Sequence, residues 1–256
     1  AFTIPVIKPR RCLNHRATYI DPLKKAVAAT DENKQSRRIE YDKLIIATGA
    51  ASIQPPIEGL ELEGVFPLRW MGDAFGIGRY ITERRPKSAA ILGSGYISME
   101  MADALTRRGI FVSVVARSGS VLKTVDAEMG EMIRSELHKH GVRVIDRAAV
   151  SSIVQEGEDL ALRDREELVL KSGLVLVATG ARPETELARD AGIRVGDSGA
   201  IPVSPAMETN VPDIYAAGDC VETRHRLLMR STYLPLGTTA HKQGRAAGEN
   251  AAGGQA

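Results

Sequence analysis

Two apolar runs in this chain end in the same four residues. Leu44-Ile45-Ile46 leads into Ala47-Thr48-Gly49-Ala50, and Leu174-Val175-Leu176-Val177 leads into Ala178-Thr179-Gly180-Ala181. The second copy is preceded by a glycine-rich turn at Gly93-Ser94-Gly95, and the same interval counted back from Thr48 falls before Ala1. A period of this length points to two copies of a nucleotide-binding domain, and the expectation is a chain that begins inside the first copy.

Composition narrows the class further. With 43% hydrophobic and 26% charged residues and a net charge of +2, the chain has the make-up of one large or two medium α/β domains rather than of a basic nucleic-acid surface. Aromatic residues are only 4%, which also leaves no base-stacking platform. Cys12 and Cys220 are far apart and lack metal-ligand spacing, so no metal site and no disulfide framework is expected. The apolar runs are too short to span a membrane, and the first residues lack the layout of a signal peptide, so a cytoplasmic setting is expected.

Strand and helix patterns alternate along the chain. Residues 17–20, 26–29 and 39–41 read as short strands parted by polar turns at Asp21-Pro22 and Asp31-Glu32-Asn33, a small antiparallel insert before the strand at Leu44. Pro55-Pro56 and Gly59 break the pattern and mark a domain crossing. Residues 89–92 form a buried strand, 96–108 a helix ending at Gly109, and 110–115 the next strand. Asp126 caps a helix that runs to His140 and ends at Gly141; Met129, Met132, Ile133 and Leu137 share its apolar face, so the methionines are read as core. Four more strands, 142–145, 152–154, 160–162 and 167–170, continue towards the second Ala-Thr-Gly.

The segment from Leu92 through Gly93, Ser94, Gly95, Tyr96 and Ile97 carries the first chemical argument. A strand turning tightly into a helix aims the first helical N–H groups at one spot, where the helix dipole favours a pyrophosphate. Gly93 permits the turn, Gly95 lets phosphates approach the backbone, and Ser98 stands where a third glycine usually does. The end of the following strand selects the dinucleotide: a carboxylate there accepts hydrogen bonds from a ribose, whereas a cation pairs with a 2′-phosphate. Residues 114–123 contain no carboxylate but do contain Arg117 and Lys123, which favours NADP(H) over NAD(H).

A second argument comes from Glu208-Thr209-Asn210-Val211-Pro212-Asp213-Ile214-Tyr215-Ala216-Ala217-Gly218-Asp219. A threonine turn, a prolyl bend and a strand ending in Gly-Asp place one carboxylate where it accepts hydrogen bonds from the sugar-alcohol chain of a flavin.

With these residues in view, the chain resembles the pyridine nucleotide-disulfide oxidoreductases, and within them the coenzyme A-disulfide reductase, NADH oxidase and NADH peroxidase branch. The resemblance runs through residues 41–50, 91–100, 177–187, 209–219 and 233–253, the last of which, with its helix of small residues, points to that branch. It implies a three-layer, Rossmann-like α/β fold with two nucleotide-binding domains, the first split around the second: residues 1–65 and 188–256 for FAD, and residues 66–187 for NAD(P). It also implies that Tyr96 gates the flavin, that Glu100 lies on the nicotinamide side and that Gly180 contacts the dinucleotide through its backbone. On the flavin side Ala47, Thr48, Gly49, Gly218 and Asp219 hold FAD, Asp219 at the ribitol, with Leu236, Gly237, Thr238 and Thr239 near the isoalloxazine ring. Hydride would pass from NAD(P)H to FAD, and electrons onward to a disulfide, persulfide, peroxide or oxygen as the small-molecule acceptor.

Departures from the family pattern are as informative. The family's own flavin ADP-binding turn, its redox cysteine and a C-terminal dimerisation domain of about a hundred residues have no counterpart in these 256 residues. The redox cysteine is therefore expected upstream of Ala1, no catalytic residue is assigned within the chain, and the full-length protein is expected to be a homodimer. Cys12 and Cys220 read as small buried residues, and His241 as a helix histidine facing neighbouring structure. A flavin-dependent reductase of a small iron-sulfur or iron protein, and a non-catalytic dinucleotide-binding module, are the alternatives left open.

Overall fold

The computed structural model describes residues 12–254. The elements in chain order are β1 (Arg16–Asp21), β2 (Ala26–Thr30), β3 (Ser36–Glu40), β4 (Leu44–Ile46), β5 (Ala50–Ser52), β6 (Val65–Pro67), α1 (Met71–Arg84), β7 (Ser88–Leu92), α2 (Tyr96–Thr106), β8 (Phe111–Ala116), α3 (Ala127–Lys139) and β9 (Arg143–Asp146). They continue with β10 (Ser152–Glu156), β11 (Asp159–Asp164), β12 (Glu167–Ser172), β13 (Val175–Val177), β14 (Ala181–Pro183), α4 (Glu186–Asp190), β15 (Ile201–Pro202), β16 (Ile214–Ala216), β17 (Val221–His225), β18 (Arg230–Tyr233) and α5 (Gly237–Ala251). Two compact units result, one of Ala51–Arg182 and the other of the chain up to Ala50 and from Pro183 onward.

The unit of Ala51–Arg182 is built on a five-stranded sheet in the order β6-β13-β7-β8-β9. Every pairing in it is parallel. Its inner strands β13 and β7 are buried on both faces, which is why they read as unbroken apolar runs. Ala89 and Ile91 of β7, Val112 and Val114 of β8, and Leu174 and Leu176 point to a core shared with Ile77 of α1 and Ala102 and Leu105 of α2. The intervening residues Ala90, Leu92, Val115, Val175 and Val177 face a second core with Ile153, Leu160 and Leu162 of the antiparallel meander β10-β11-β12. Helices, parallel sheet and meander are thus three layers, and the two-residue period of the strands assigns each side chain to one interface.

Helix α1 is the longest element that residue patterning misses. Gly72, Gly76 and Gly78 dilute its apolar stripe, and Ile77 is its one buried residue. Its start is fixed by Asp73, whose carboxylate accepts the backbone N–H groups of Arg69 and Trp70, each at 2.8 Å. Its body is held by Tyr80, packed edge-on against Phe66 with ring centroids 5.3 Å apart.

Helix α3 corrects the expectation for the methionines. Met129 and Met132 are 51% and 66% exposed, whereas Ile133 and Leu137 are half-buried and Gly130 is buried. The helix meets its unit through the small residue at its start. A Cβ on Gly130 would stand 2.8 Å from the Val121 carbonyl oxygen, so the close approach is made there and the flanking methionines are left outside.

In the other unit β1, β2 and β3 form the expected antiparallel insert, and β4 pairs in parallel with β16. Ile20, Ile46, Ile214, Ala216, Cys220 and Val221 make one core, while Tyr215, Ala217 and Met207 pack with Ala247 of α5 on the other side. The register of the β4/β16 pair is set at its start by Asp213. Its carbonyl accepts the Leu44 N–H at 2.9 Å, and its carboxylate binds Lys25 at 2.6 Å and also Lys43. These two lysines hold the Asp213 carboxyl at about 2, below its ordinary 3.8, chiefly through their hydrogen bonds.

Candidate functional site

In the unit of Ala51–Arg182, β7 delivers the chain to the glycine turn at the C-terminal edge of the parallel sheet. Gly93 has φ +114°, and its N–H donates to Val115 O at 2.9 Å. A Cβ at Gly93 would run into the backbone carbonyl of Ala178, so only glycine lets the turn lie against the second Ala-Thr-Gly segment. Gly95, the N-cap of α2, has an ordinary φ of −85° and nothing within 4 Å of a Cβ placed on it. The two glycines therefore do different work: Gly93 lets the protein close on itself, and Gly95 leaves room for a ligand. Beyond Gly95 the N–H groups of the first turn of α2 face outward without helical acceptors, the arrangement that binds a pyrophosphate.

The other expected dinucleotide residues gather around this turn. Leu92 is buried beneath it, Ser94 and Ile97 are half-buried, and Tyr96 and Glu100 lie one helical turn apart on the exposed side of α2. Ser98 is fully buried, and its Oγ has no hydrogen-bond partner among the described residues, so it packs as the small third residue of the motif. Gly180 is exposed with φ +122°, and next to it Thr179 Oγ1 donates to Ile53 O at 3.0 Å.

The loop after β8 carries the two cations. Arg117 and Lys123 are exposed, and neither forms an ion pair among the described residues. The loop is tied to the glycine turn by Ser94, whose hydroxyl donates to Ser120 O at 3.2 Å and whose carbonyl accepts Leu122 N–H at 2.9 Å. A third cation stands close by, because the Nε of Arg147 lies 3.8 Å from where a Cβ on Gly119 would be. Arg147 gives no sequence signal, since it follows a different strand.

In the other unit the residues expected on the flavin side follow β4 and β16 and open α5. Ala47 is exposed, Gly49 has φ +72°, and the Thr48 hydroxyl donates to Glu184 O. Gly218 has φ +87°, and the carbonyl of Asp219 accepts the Tyr233 hydroxyl at 3.0 Å. Leu236 is the N-cap of α5, Gly237 and Thr238 are exposed, and Thr239 is half-buried. Thr238 and Thr239 line a cleft of about 760 Å³ whose wall also includes Met207, Thr223, Lys242 and Gln243. Residue types alone do not single out Gln243; it is buried, and its side-chain oxygen accepts the Gly218 N–H at 3.0 Å.

Cys220 is fully buried, its thiol against the carbonyls of Ala217 at 3.4 Å and Ile46 at 3.7 Å, as expected of a structural cysteine. Cys12 is half-buried rather than buried, and His241 is exposed rather than turned to neighbouring structure. Among the described residues there is no group of three His, Cys, Asp or Glu side chains placed to hold a metal, and no helix is long and apolar enough to cross a membrane.

Comparison with known proteins agrees with this arrangement. The family described as pyridine nucleotide-disulphide oxidoreductase matches residues 8–244. An NADH oxidase of Methanocaldococcus jannaschii is 37% identical over 244 residues, which is 93% of this chain and 53% of the relative. A CoA-dependent NAD(P)H sulfur oxidoreductase of Pyrococcus furiosus is 36% identical over 223 residues, 87% of this chain and 50% of the relative. Among solved structures, an NAD-dependent persulfide reductase from A. fulgidus superposes with a TM-score of 0.87 at 36% identity, covering 94% of this chain and 45% of that one. The chain belongs to the pyridine nucleotide-disulphide oxidoreductase family. It spans about half the length of the curated relatives it matches.

Proposed function

We propose that this chain handles the flavin and the nicotinamide of an FAD-dependent oxidoreductase. In this reading hydride passes from NAD(P)H to FAD, and electrons move on to a small-molecule acceptor: a disulfide of the coenzyme A kind, a persulfide, a peroxide or oxygen. The observation that carries it is the presence, in one chain of this family, of an open glycine turn at a helix N-terminus and a separate Gly218-Asp219 turn tied to α5 through Gln243.

The residues fit both groups. Leu92–Ile97, Glu100 and Gly180 would hold the dinucleotide, with the open space at Gly95 receiving the pyrophosphate. Ala47–Gly49, Gly218, Asp219 and Leu236–Thr239 would hold FAD, whose isoalloxazine supplies the hydride-accepting chemistry when bound. The Asp219 carboxylate would accept hydrogen bonds from sugar hydroxyls, and the start of α5 offers the positive end of a helix dipole. Tyr96, exposed at the start of α2, would take the part of the gate over the flavin that the family resemblance implies. Residues 1–65 with 188–256 are assigned to FAD, and 66–187 to NAD(P).

NADP(H) is proposed over NAD(H). Arg117 and Lys123 are exposed, have no ion-pair partner among the described residues and share a stretch, 114–123, that has no carboxylate, and Arg147 adds charge beside it. Neither cysteine is assigned to the redox step, and Cys220 is fully buried. A homodimer in the cytoplasm completes the reading.

The test is a visible absorption spectrum of the purified protein, taken before and after anaerobic addition of NADPH. A flavin band that bleaches on addition is expected. A protein with bound flavin that no reduced nicotinamide bleaches would overturn the hydride-transfer reading.

A further inference from the structure

The loop that selects the dinucleotide is gripped from behind by one residue of α3. Arg134 is a half-buried arginine whose side chain is only 14% exposed. Its Nη1 donates to Asp146 Oδ2 at 2.6 Å, and its Nη2 donates both to Asp146 Oδ1 at 3.0 Å and to the carbonyl of Gly119 at 2.8 Å. Its Nε lies 3.3 Å from Glu131 Oε2. The planar fork thus bridges three elements: its own helix, the end of β9 and the middle of the loop between Arg117 and Lys123.

We propose that Arg134 is a positioning residue for cofactor selectivity, holding the loop of Arg117 and Lys123 in the shape that meets a 2′-phosphate. This rests on the NADP(H) reading above. The later half of the loop is fastened to the glycine turn through Ser94, at Ser120 and Leu122. Gly119, two residues after Arg117, is fastened instead by Arg134. Releasing it frees Arg117 while the pyrophosphate-facing turn of Gly93, Ser94 and Gly95 keeps its own hydrogen bonds. The cost should therefore fall on a ligand's 2′-phosphate and spare the rest of the dinucleotide. Lysine cannot reproduce the grip, because a single ammonium does not span a carboxylate and a carbonyl with a planar fork.

The experiment measures binding to the purified protein by calorimetry, using adenosine 2′,5′-bisphosphate and 5′-AMP as probes that differ by the 2′-phosphate alone. Arg134→Met is expected to weaken the bisphosphate by about tenfold, the scale of one charged hydrogen bond, and 5′-AMP by no more than about twofold. Arg134→Lys is expected to recover part of the loss, and it provides the measurement if the methionine variant does not fold. Equal losses for both probes, or unchanged bisphosphate binding, would overturn the positioning role while leaving NADP(H) selectivity standing. If the unmodified protein binds the two probes equally well, the NADP(H) reading fails and the positioning role fails with it.

Discussion

The side-chain oxygen of Gln243 accepts the backbone N–H of Gly218 at 3.0 Å, joining the middle of α5 to the turn that precedes Asp219. Gln243 is buried and Gly218 half-buried, and the bond sets the distance between the helix and the turn. Gln243→Leu leaves that N–H without its acceptor, and a loss of about 1–3 kcal/mol in unfolding free energy is expected. Urea denaturation measures it, and the flavin-to-protein absorbance ratio of the same preparation is expected to fall. A variant with full stability and full flavin content would show that Gln243 has no such role.

The two glycines of the nucleotide turn should respond oppositely to the same substitution. Gly93→Ala adds a Cβ at φ +114° against the Ala178 carbonyl and should cost about 2 kcal/mol or more of stability. Gly95→Ala meets open space at φ −85°, so its melting temperature should stay unchanged. The added methyl instead occupies ligand space, and NADPH should bind about tenfold more weakly, the scale of a lost charged hydrogen bond. Calorimetric melting and NADPH titration of both variants decide the matter.

Arg117→Glu places a carboxylate where a 2′-phosphate is expected. NADPH binding should fall by at least about tenfold, while NADH binding should change little or improve. Titrations of both cofactors against the same preparation provide the check, and equal loss for the two contradicts the NADP(H) assignment.

Ser98 keeps a buried hydroxyl with no partner among the described residues. Ser98→Ala removes the unsatisfied group and leaves a side chain that still fits against β7. A gain of about 1 kcal/mol is expected, read as a raised melting temperature. A loss of stability would mean that the hydroxyl is hydrogen-bonded in solution.

The pair Lys25 and Lys43 around Asp213 makes a pH-dependent contribution. Because the folded carboxyl titrates at about 2 rather than 3.8, its stabilisation is complete above the higher value and fades as pH falls towards the lower one. The stability of wild type should therefore drop more steeply with acid across that interval than that of Asp213→Asn. Parallel acid limbs in the two proteins would count against the ion pairs.

Much of the sheet is legible in the residues because its inner strands β7 and β13 are buried on both sides. Runs such as residues 174–177 have no polar alternation to confuse them, and the turns that follow carry glycines at positive φ. The dinucleotide turn is legible for the same reason, since Gly93 and Gly95 lie beside each other in sequence and in space. What is hidden depends on partners far along the chain. The fork of Arg134 means nothing until Asp146 and Gly119 are brought to it, and Gln243 is an ordinary helical glutamine until Gly218 arrives. Helix α1 escapes because three glycines blur its stripe, while its anchor is the Asp73 carboxylate rather than an apolar residue. The methionines of α3 mislead because helical spacing fixes which residues share a face but not which face meets the core.

The pairing of β4 with β16 has a consequence for synthesis on the ribosome. Residues 44–46 emerge long before residues 214–216, and the whole unit of Ala51–Arg182 is translated between them. At ordinary elongation rates the nascent β4 waits on the order of ten seconds for its neighbour. In that interval the later-encoded unit can close its own sheet, since β6 finds β13 as soon as Val177 is clear of the exit tunnel. The strand made first thus completes its pairing after a unit encoded behind it.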